Sequence, residues 1–423
     1  MLYHSAASKP KRFGEVMKRI LFVDDESMVL DGLRRMLRAM RNEWDMKFVE
    51  SGHEALETLA GGKFDVIVTD MRMPGMDGCE LLNQVRRHYP QVIRIVLSGQ
   101  SDMDMLLRSV GPAHQFLSKP CDAETLKATV VRVCSIQNLL EDEALIKVVS
   151  GIESLPSLPK LYSEVVSELN SAEGSLNRVG EIISKDSGMS AKILQLVNSA
   201  FFGLPRHVTS ALKAVQFLGF DTVKALVLTV KVFSMFSRDD LEEYSVDELW
   251  RHSLGTGLCA REIARGEEWG QEETDETFMA GLLHDIGKLI LVEKFPEECR
   301  ELVKRTHHNV NLYEAERQVF GTTHAQIGAY LLGIWGLSEP IIKTVAYHHI
   351  PGLCPEPRPN VLAAVYMANI FERKSLCSLE TGSVPELDAE YLRRQGIADR
   401  VTLWRSFCAK SDGEGDACQD TVC

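Results

Sequence analysis

No uncharged apolar stretch in the chain approaches the ~20 residues that a helix needs to span a bilayer. The most apolar candidate, Phe217 to Phe236, is interrupted by Asp221, Lys224 and Lys231, so membrane insertion is not expected. The opening residues, MLYHSAASKPKRFGEVMKR, lack the ~7–15-residue apolar core of a secretory leader. The 10 cysteines include no CxxC pair. In a chain without a leader they are expected to be reduced thiols, which points to the cytoplasm. Basic charge is short as well: 47 Lys plus Arg face 60 Asp plus Glu, a net charge of -13. Such a surface repels a phosphate backbone, so direct nucleic-acid binding is not expected.

What is present is ordinary globular composition, 45% hydrophobic and 25% charged over 423 residues, enough for two or three domains with their own cores. From Arg19 to about Leu140, short apolar runs (RILFV, KFVE, DVIVT, IRIVL, QFLS) alternate with amphipathic segments. That alternation predicts a parallel sheet covered by helices on both faces, with ligands bound beyond the carboxyl ends of its strands. Asp24 and Asp25 follow the first run, Asp70 follows DVIVT, Ser98 follows IRIVL and Lys119 follows QFLS, so polar groups from several strand ends meet in one crevice.

Leu126, Val130, Val133, Leu140, Ala144 and Val148 then recur at three- or four-residue spacing. They predict one amphipathic helix from about Asp122 to Val149, holding two domains apart by about 40 Å of rod. Its apolar stripe has no evident cover in either domain, which makes a second copy of the chain the candidate partner, a homodimer. Leu155-Pro156-Ser157-Leu158-Pro159 forces an extended stretch. Beyond it strand signals vanish and helical stripes such as Met189, Ile193, Leu196, Val197 and Ala200 predict an all-α half. The expected divisions are an N-terminal extension at 1–17, a first domain at 18–138, a linker helix at 139–152, a second domain at 153–376 and a polar, irregular tail at 377–423. A helix-turn-helix reading of Met189–Phe202 and Ser210–Leu218 is set aside, because the connection is too long and basic side chains are sparse.

Carboxylates sharing a crevice repel one another unless a cation intervenes, and Mg2+ takes oxygen ligands from one or two carboxylates plus a phosphate. Asp70, alone at its strand end, is the candidate nucleophile toward a phosphoryl group. Asp24 and Asp25 are candidate metal ligands and Lys119 adds a positive charge. Taken singly, each acid is equally well read as a helix cap. Together, Asp24-Asp25, the segment Asp70-Met71-Arg72-Met73-Pro74-Gly75-Met76-Asp77-Gly78, Ser98 and Lys119-Pro120 resemble the receiver domain of bacterial response regulators, from Arg19 to about Asn138. The resemblance implies a flavodoxin-like five-stranded fold, with Asp70 phosphorylated by a sensor histidine kinase. It further implies Mg2+ held by Asp24, Asp25, Asp70 and the Arg72 carbonyl, a cis bond before Pro120, and Ser98 bonded to the phosphoryl group. Phe116 takes the position of the aromatic that turns inward, although by sequence it is equally a core residue of the last strand.

Between His252 and His349 lie His252, His284, His307, His308, His324, His348 and His349. Imidazole and carboxylate together suit Zn, Fe or Mn, and in helical domains such ligands project inward from facing helices. Glu248, one turn before His252, is placed on the same helical face. Leu283-His284-Asp285-Ile286-Gly287-Lys288 resembles the signature of HD-type metal phosphohydrolases. The order His252, His284-Asp285, His324, His348-His349 resembles the HD-GYP class, which cleaves cyclic di-GMP. Asn369 stands where that class has its last aspartate, and no Gly-Tyr-Pro follows the His doublet. The span from about Glu153 to Lys374 is more similar to the HDOD output domain, on its Leu-Pro-x-Leu-Pro opening, Leu194 to Gly203, and Ala214 to Gly219. The expectation is a cytoplasmic two-component response regulator with a non-catalytic output that binds a downstream signalling protein. The rival is a receiver-controlled metal-dependent phosphohydrolase of cyclic di-GMP or another nucleotide, using Glu248, His252, His284, Asp285, His324, His348, His349 and Asn369.

Overall fold

The computed structural model describes residues 17–99, 112–136, 143–152, 156–157, 159–171, 173–198, 204, 207–224, 226–227, 234–235, 246–306, 312–354, 360–376 and 387–409. The first part is a five-stranded parallel sheet in the order β2-β1-β3-β4-β5. Its strands are β1 (Lys18–Val23), β2 (Trp44–Val49), β3 (Val66–Asp70), β4 (Ile93–Gly99) and β5 (Gln115–Lys119). Helices α1 (Ser27–Met36), α2 (Gly52–Ala60), α3 (Gly78–His88) and α4 (Ala123–Ile136) cover it. The central strands read as unbroken apolar runs because they are buried on both faces: every residue of β3 is buried. Ser51 caps α2, and Asp77 with Glu80 forms a reciprocal capping box at α3. Gly78 lets that helix start come close to the crevice, since a Cβ there would lie 2.1 Å from the Asp70 carbonyl oxygen.

Among the described residues, the second part is helical apart from a two-residue parallel bridge between β6 (Pro156–Ser157) and β7 (Ser234–Met235). It comprises α5 (Glu143–Ser150), α6 (Pro159–Asn170), α7 (Leu176–Ile183), α8 (Ser187–Val197), α9 (Ala211–Leu218), α10 (Phe220–Lys224), α11 (Val246–Gly266) and α12 (Gln271–Leu283). These are followed by α13 (Ile286–Lys294), α14 (Pro296–Thr306), α15 (Leu312–Phe320), α16 (His324–Ile334), α17 (Glu339–Tyr347), α18 (Asn360–Leu376), α19 (Ala389–Arg394) and α20 (Val401–Ala409). No helix of the described residues is long and apolar enough to cross a membrane.

Three expectations are corrected. The two parts are not held apart by a rod: α4 and α5 both pack on α16, and the stripe residues Leu126, Val130 and Val133 are buried, so this part of the face that motivated a dimer is covered within the chain. Residues 137–142, on which continuity of the long helix depends, lie outside the described residues. The tail is not irregular throughout, because α19 and α20 return to the helical body with Tyr391, Leu392 and Trp404 buried. That return brings the Cys408 and Cys259 Cα atoms to 4.7 Å, and the two residues form a disulfide in place of the expected thiols.

Candidate functional site

The first site lies at the carboxyl ends of β1, β3, β4 and β5. Asp24, just past β1, is 2% exposed, and Asp70 ends β3 at 8%. Lys119, the last residue of β5, donates to Asp24 Oδ2 at 2.7 Å and pairs with Asp70 Oδ1. Asp70 Oδ2 accepts the Arg72 backbone N–H at 2.8 Å. Burial, only partly offset by Lys119, pushes the Asp70 carboxyl up. Burial also works against the Lys119 charge, but the two aspartates outweigh it and push the ammonium up. Two carboxylates thus share one ammonium, a local excess of negative charge that suits a divalent cation.

Asp25 and the Arg72 side chain are exposed. Ser98 lies one residue past the register partner of Asp70 on β4, and its buried Oγ finds no hydrogen-bond partner among the described residues. Phe116 is fully buried, opposite Val96, and the Lys119–Pro120 bond is cis.

The second site is a buried cluster where four helix ends and one helix interior meet. His284 follows α12, Asp285 precedes α13, His324 opens α16, and His348 and His349 follow α17. His252 comes from the body of α11. Asp285 stands between two sets of imidazoles. Its Oδ2 lies 3.3 Å from His284 Nε2 and 3.8 Å from His252 Nε2. Its Oδ1 lies 3.1 Å from His324 Nε2 and 3.5 Å from His348 Nε2. His349 Nε2 is 3.0 Å from His324 Nε2.

Hydrogen bonds on the far side of the rings set which nitrogen faces inward. His284 Nδ1 donates to the Gly281 carbonyl at 2.7 Å and His348 Nδ1 to the Val345 carbonyl at 2.8 Å. His324 Nδ1 donates to the Glu316 carboxylate at 2.6 Å. In the neutral rings each Nε2 then presents a lone pair, and such pairs facing one another within 3.4 Å across His324 and His348 call for a cation between them. Burial pushes His348 down to about 3 and His252 down to about 2, which keeps both neutral. Burial alone would raise the Asp285 carboxyl, yet His284, Lys288 and His324 hold it well below the ordinary carboxylate range. Burial opposes the His324 charge, but Glu316 outweighs it and raises this ring.

Of the sequence candidates, His252, His284, Asp285, His324, His348 and His349 come together as potential ligands. Asn369 joins them through Oδ1, 3.1 Å from His252 Nε2. Glu248 does not: its side chain is exposed and lies outside both ligand groups. His307 and His308 fall outside the described residues. Glu316 was not singled out by sequence, and neither was Lys288 as a partner of Asp285, whose Oδ2 it reaches at 2.5 Å. An acid eight residues before a histidine, on the preceding helix, leaves no periodic signal, whereas the three-residue spacing of Asp285 and Lys288 was available.

The response regulator receiver domain family matches residues 20–131 and the HDOD domain family matches residues 155–351. An uncharacterized protein of Treponema pallidum is 27% identical over 223 residues, covering 52% of this chain and 43% of that protein. The hydrogenase transcriptional regulatory protein HoxA of Cupriavidus necator is 34% identical over 160 residues, covering 37% of this chain and 32% of that protein. The chain spans less than half the length of these relatives. Among solved structures, the MmoQ response regulator of Methylococcus capsulatus is 22% identical with a TM-score of 0.47, covering 60% of this chain and 98% of that chain.

Proposed function

Because this chain joins a response regulator receiver domain to an HDOD domain, we propose that it is a phosphorylation-controlled switch. Asp70 accepts a phosphoryl group from a sensor histidine kinase, and the helical half passes the signal to a downstream protein in the cytoplasm. The observation that carries this is the convergence of Asp24, Asp70 and Lys119 beside the unbonded Ser98 hydroxyl. The Asp70 carboxylate attacks phosphorus, an O–P bond forms, and the phosphorus–nitrogen bond to the donor histidine breaks. Lys119 neutralises charge on the transferred group, and the Ser98 hydroxyl gains the hydrogen-bond partner it lacks. Asp24, Asp25, Asp70 and the Arg72 carbonyl would hold Mg2+, which supplies charge neutralisation for the phosphoryl oxygens.

The test is labelling by a small acyl phosphate, read by mass spectrometry. Phosphate is expected on Asp70 alone, dependent on Mg2+ and absent from Asp70→Asn. Undiminished labelling of that variant would sink the assignment.

The donor set at Asp285 also favours a bound transition metal in the helical half. His324, His348, His349 and Asp285 are the residues that would hold it, with Glu316 orienting His324. This metal would supply a fixed positive charge inside the domain. On the His252 side, Asn369 contributes a neutral carbonyl where a dinuclear hydrolase needs an anion, so the reading remains a non-catalytic output.

A further inference from the structure

The helical half meets the receiver at the opposite end of the sheet from Asp70, and the meeting is made through buried polar groups. Gln115, the first residue of β5, donates from Nε2 to the carbonyl of Ile334, the last residue of α16, at 2.6 Å. The Gln115 Oε1 accepts from Arg132 Nη2 of α4 at 3.1 Å. Beside them the fully buried Arg94 donates to the Ser150 carbonyl at 2.6 Å, and His114 Nε2 reaches the same oxygen at 2.7 Å. The Ser150 hydroxyl bonds the Tyr330 hydroxyl of α16 at 2.9 Å. Gly333 makes room for α4, since a Cβ there would come within 2.6 Å of Ile136.

The same helix α16 begins at His324, inside the histidine cluster. Its first turn is seated on the Asp285 segment with no slack: a Cβ on Gly287 would lie 1.9 Å from the His324 carbonyl oxygen. A Cβ on Gly328 would lie 2.8 Å from Ile286 and 3.1 Å from the Gly287 nitrogen. Every residue of α16 except Gln326 is buried. A close-packed helix of this kind moves as a unit, because core packing leaves no free volume to absorb a shift. Two short rods therefore lie end to end. One is β5, from Lys119 in the phosphoacceptor crevice to Gln115, and the other is α16, from Ile334 to His324. They span about 16 Å each.

We propose that α16 couples the two sites, so that phosphoryl occupancy at Asp70 and metal occupancy at His324, His348, His349 and Asp285 alter each other's affinity. This rests on the metal reading given above and adds its regulation. The route is physical and narrow. A change in β5 that follows the pull of a phosphoryl group on Lys119 displaces Gln115. The hydrogen bond to Ile334 and the Gly333 contact carry that displacement to α16. At its other end, His324 moves against Asp285, and a metal held between them registers the change in ligand geometry. By linkage the effect must be equal in both directions.

The experiment uses the full chain, Co2+ as the metal probe read by visible absorption, and beryllofluoride as the phosphoryl stand-in read by fluorine NMR. Beryllofluoride is expected to change the Co2+ dissociation constant by about fivefold or more, and Co2+ to change beryllofluoride affinity by the same factor. Gln115→Ala, which removes the bond to Ile334, is expected to bind both probes with the factor reduced toward one. Tyr330→Phe, which loses only a hydroxyl, should reduce it partly and serves if Gln115→Ala does not fold. Both probes binding the natural protein independently would overturn the coupling alone. A factor undiminished in both variants would overturn the α16 route. Absence of a Co2+ spectrum in either state overturns the metal reading together with the coupling, and absence of bound fluoride identifies a failure of the receiver reading instead.

Discussion

Among the described residues, Asp285 is the one carboxylate shared by both potential ligand groups, and it stands between two sets of imidazoles. Asp285→Asn keeps the shape and removes the charge, so bound metal measured on the purified protein is expected to fall to background. Retention at the natural level would remove Asp285 from the ligand set. Asn369 carries a prediction of its own. Turnover of cyclic di-GMP with Mn2+ or Fe2+ supplied should be absent, and turnover that disappears in His284→Ala would install a phosphodiesterase. At this scale the sequence was readable where ligands sit in doublets, His284-Asp285 and His348-His349. It was not readable at Glu316, whose bond to His324 crosses between helices. Glu248 misled for a geometric reason: four residues advance a helix by about 40° and 6 Å, which carries Glu248 beyond the cluster to the exposed start of α11.

Among elements, the crossing of α13 and α16 has the least tolerance. Gly287→Ala would drive a methyl into the His324 carbonyl. Overpacking of this kind costs about 1–3 kcal/mol, read as a lower urea midpoint. A midpoint unchanged within error would mean that the contact yields freely. The strands of the receiver were legible because two-sided burial writes continuous apolar runs. The partner of α4 was not, although a signal existed: Ala325-Gln326-Ile327-Gly328-Ala329-Tyr330-Leu331-Leu332-Gly333-Ile334 is apolar nearly all round, and such a helix must be covered on every side. Reading α4 alone left its stripe without a partner. Reading α16 alone would have demanded one.

For the molecule as a whole, the junction between its halves makes stability depend on pH. Burial, reinforced by Arg94, holds His114 well below its ordinary value, and its Nδ1 accepts the Arg94 backbone N–H while Nε2 serves the Ser150 carbonyl. As pH falls, the unfolded chain takes up this proton first. The contribution of His114 is therefore complete above about pH 6.5 and is lost progressively below it. His114→Gln is expected to lose less stability than the natural protein between pH 6.5 and 5.5, by about 1 kcal/mol over that window, measured by urea unfolding. Parallel slopes would show that His114 is protonated without penalty. Sequence could not foresee this junction, since Arg94, His114 and Ser150 meet from distant segments and the charge of Arg94 is answered by carbonyls.

The bond between Cys259 and Cys408 also has a topological meaning. It closes a ring of main chain whose ends are 149 residues apart, and His284, Asp285, His324, His348, His349 and Asn369 are beads on that ring, while His252 hangs outside it. A protease that cuts the ring once turns a loop into an open line and releases nothing. Such a nicked molecule should migrate as a single species on a gel run without reductant and separate into two fragments when thiol is added.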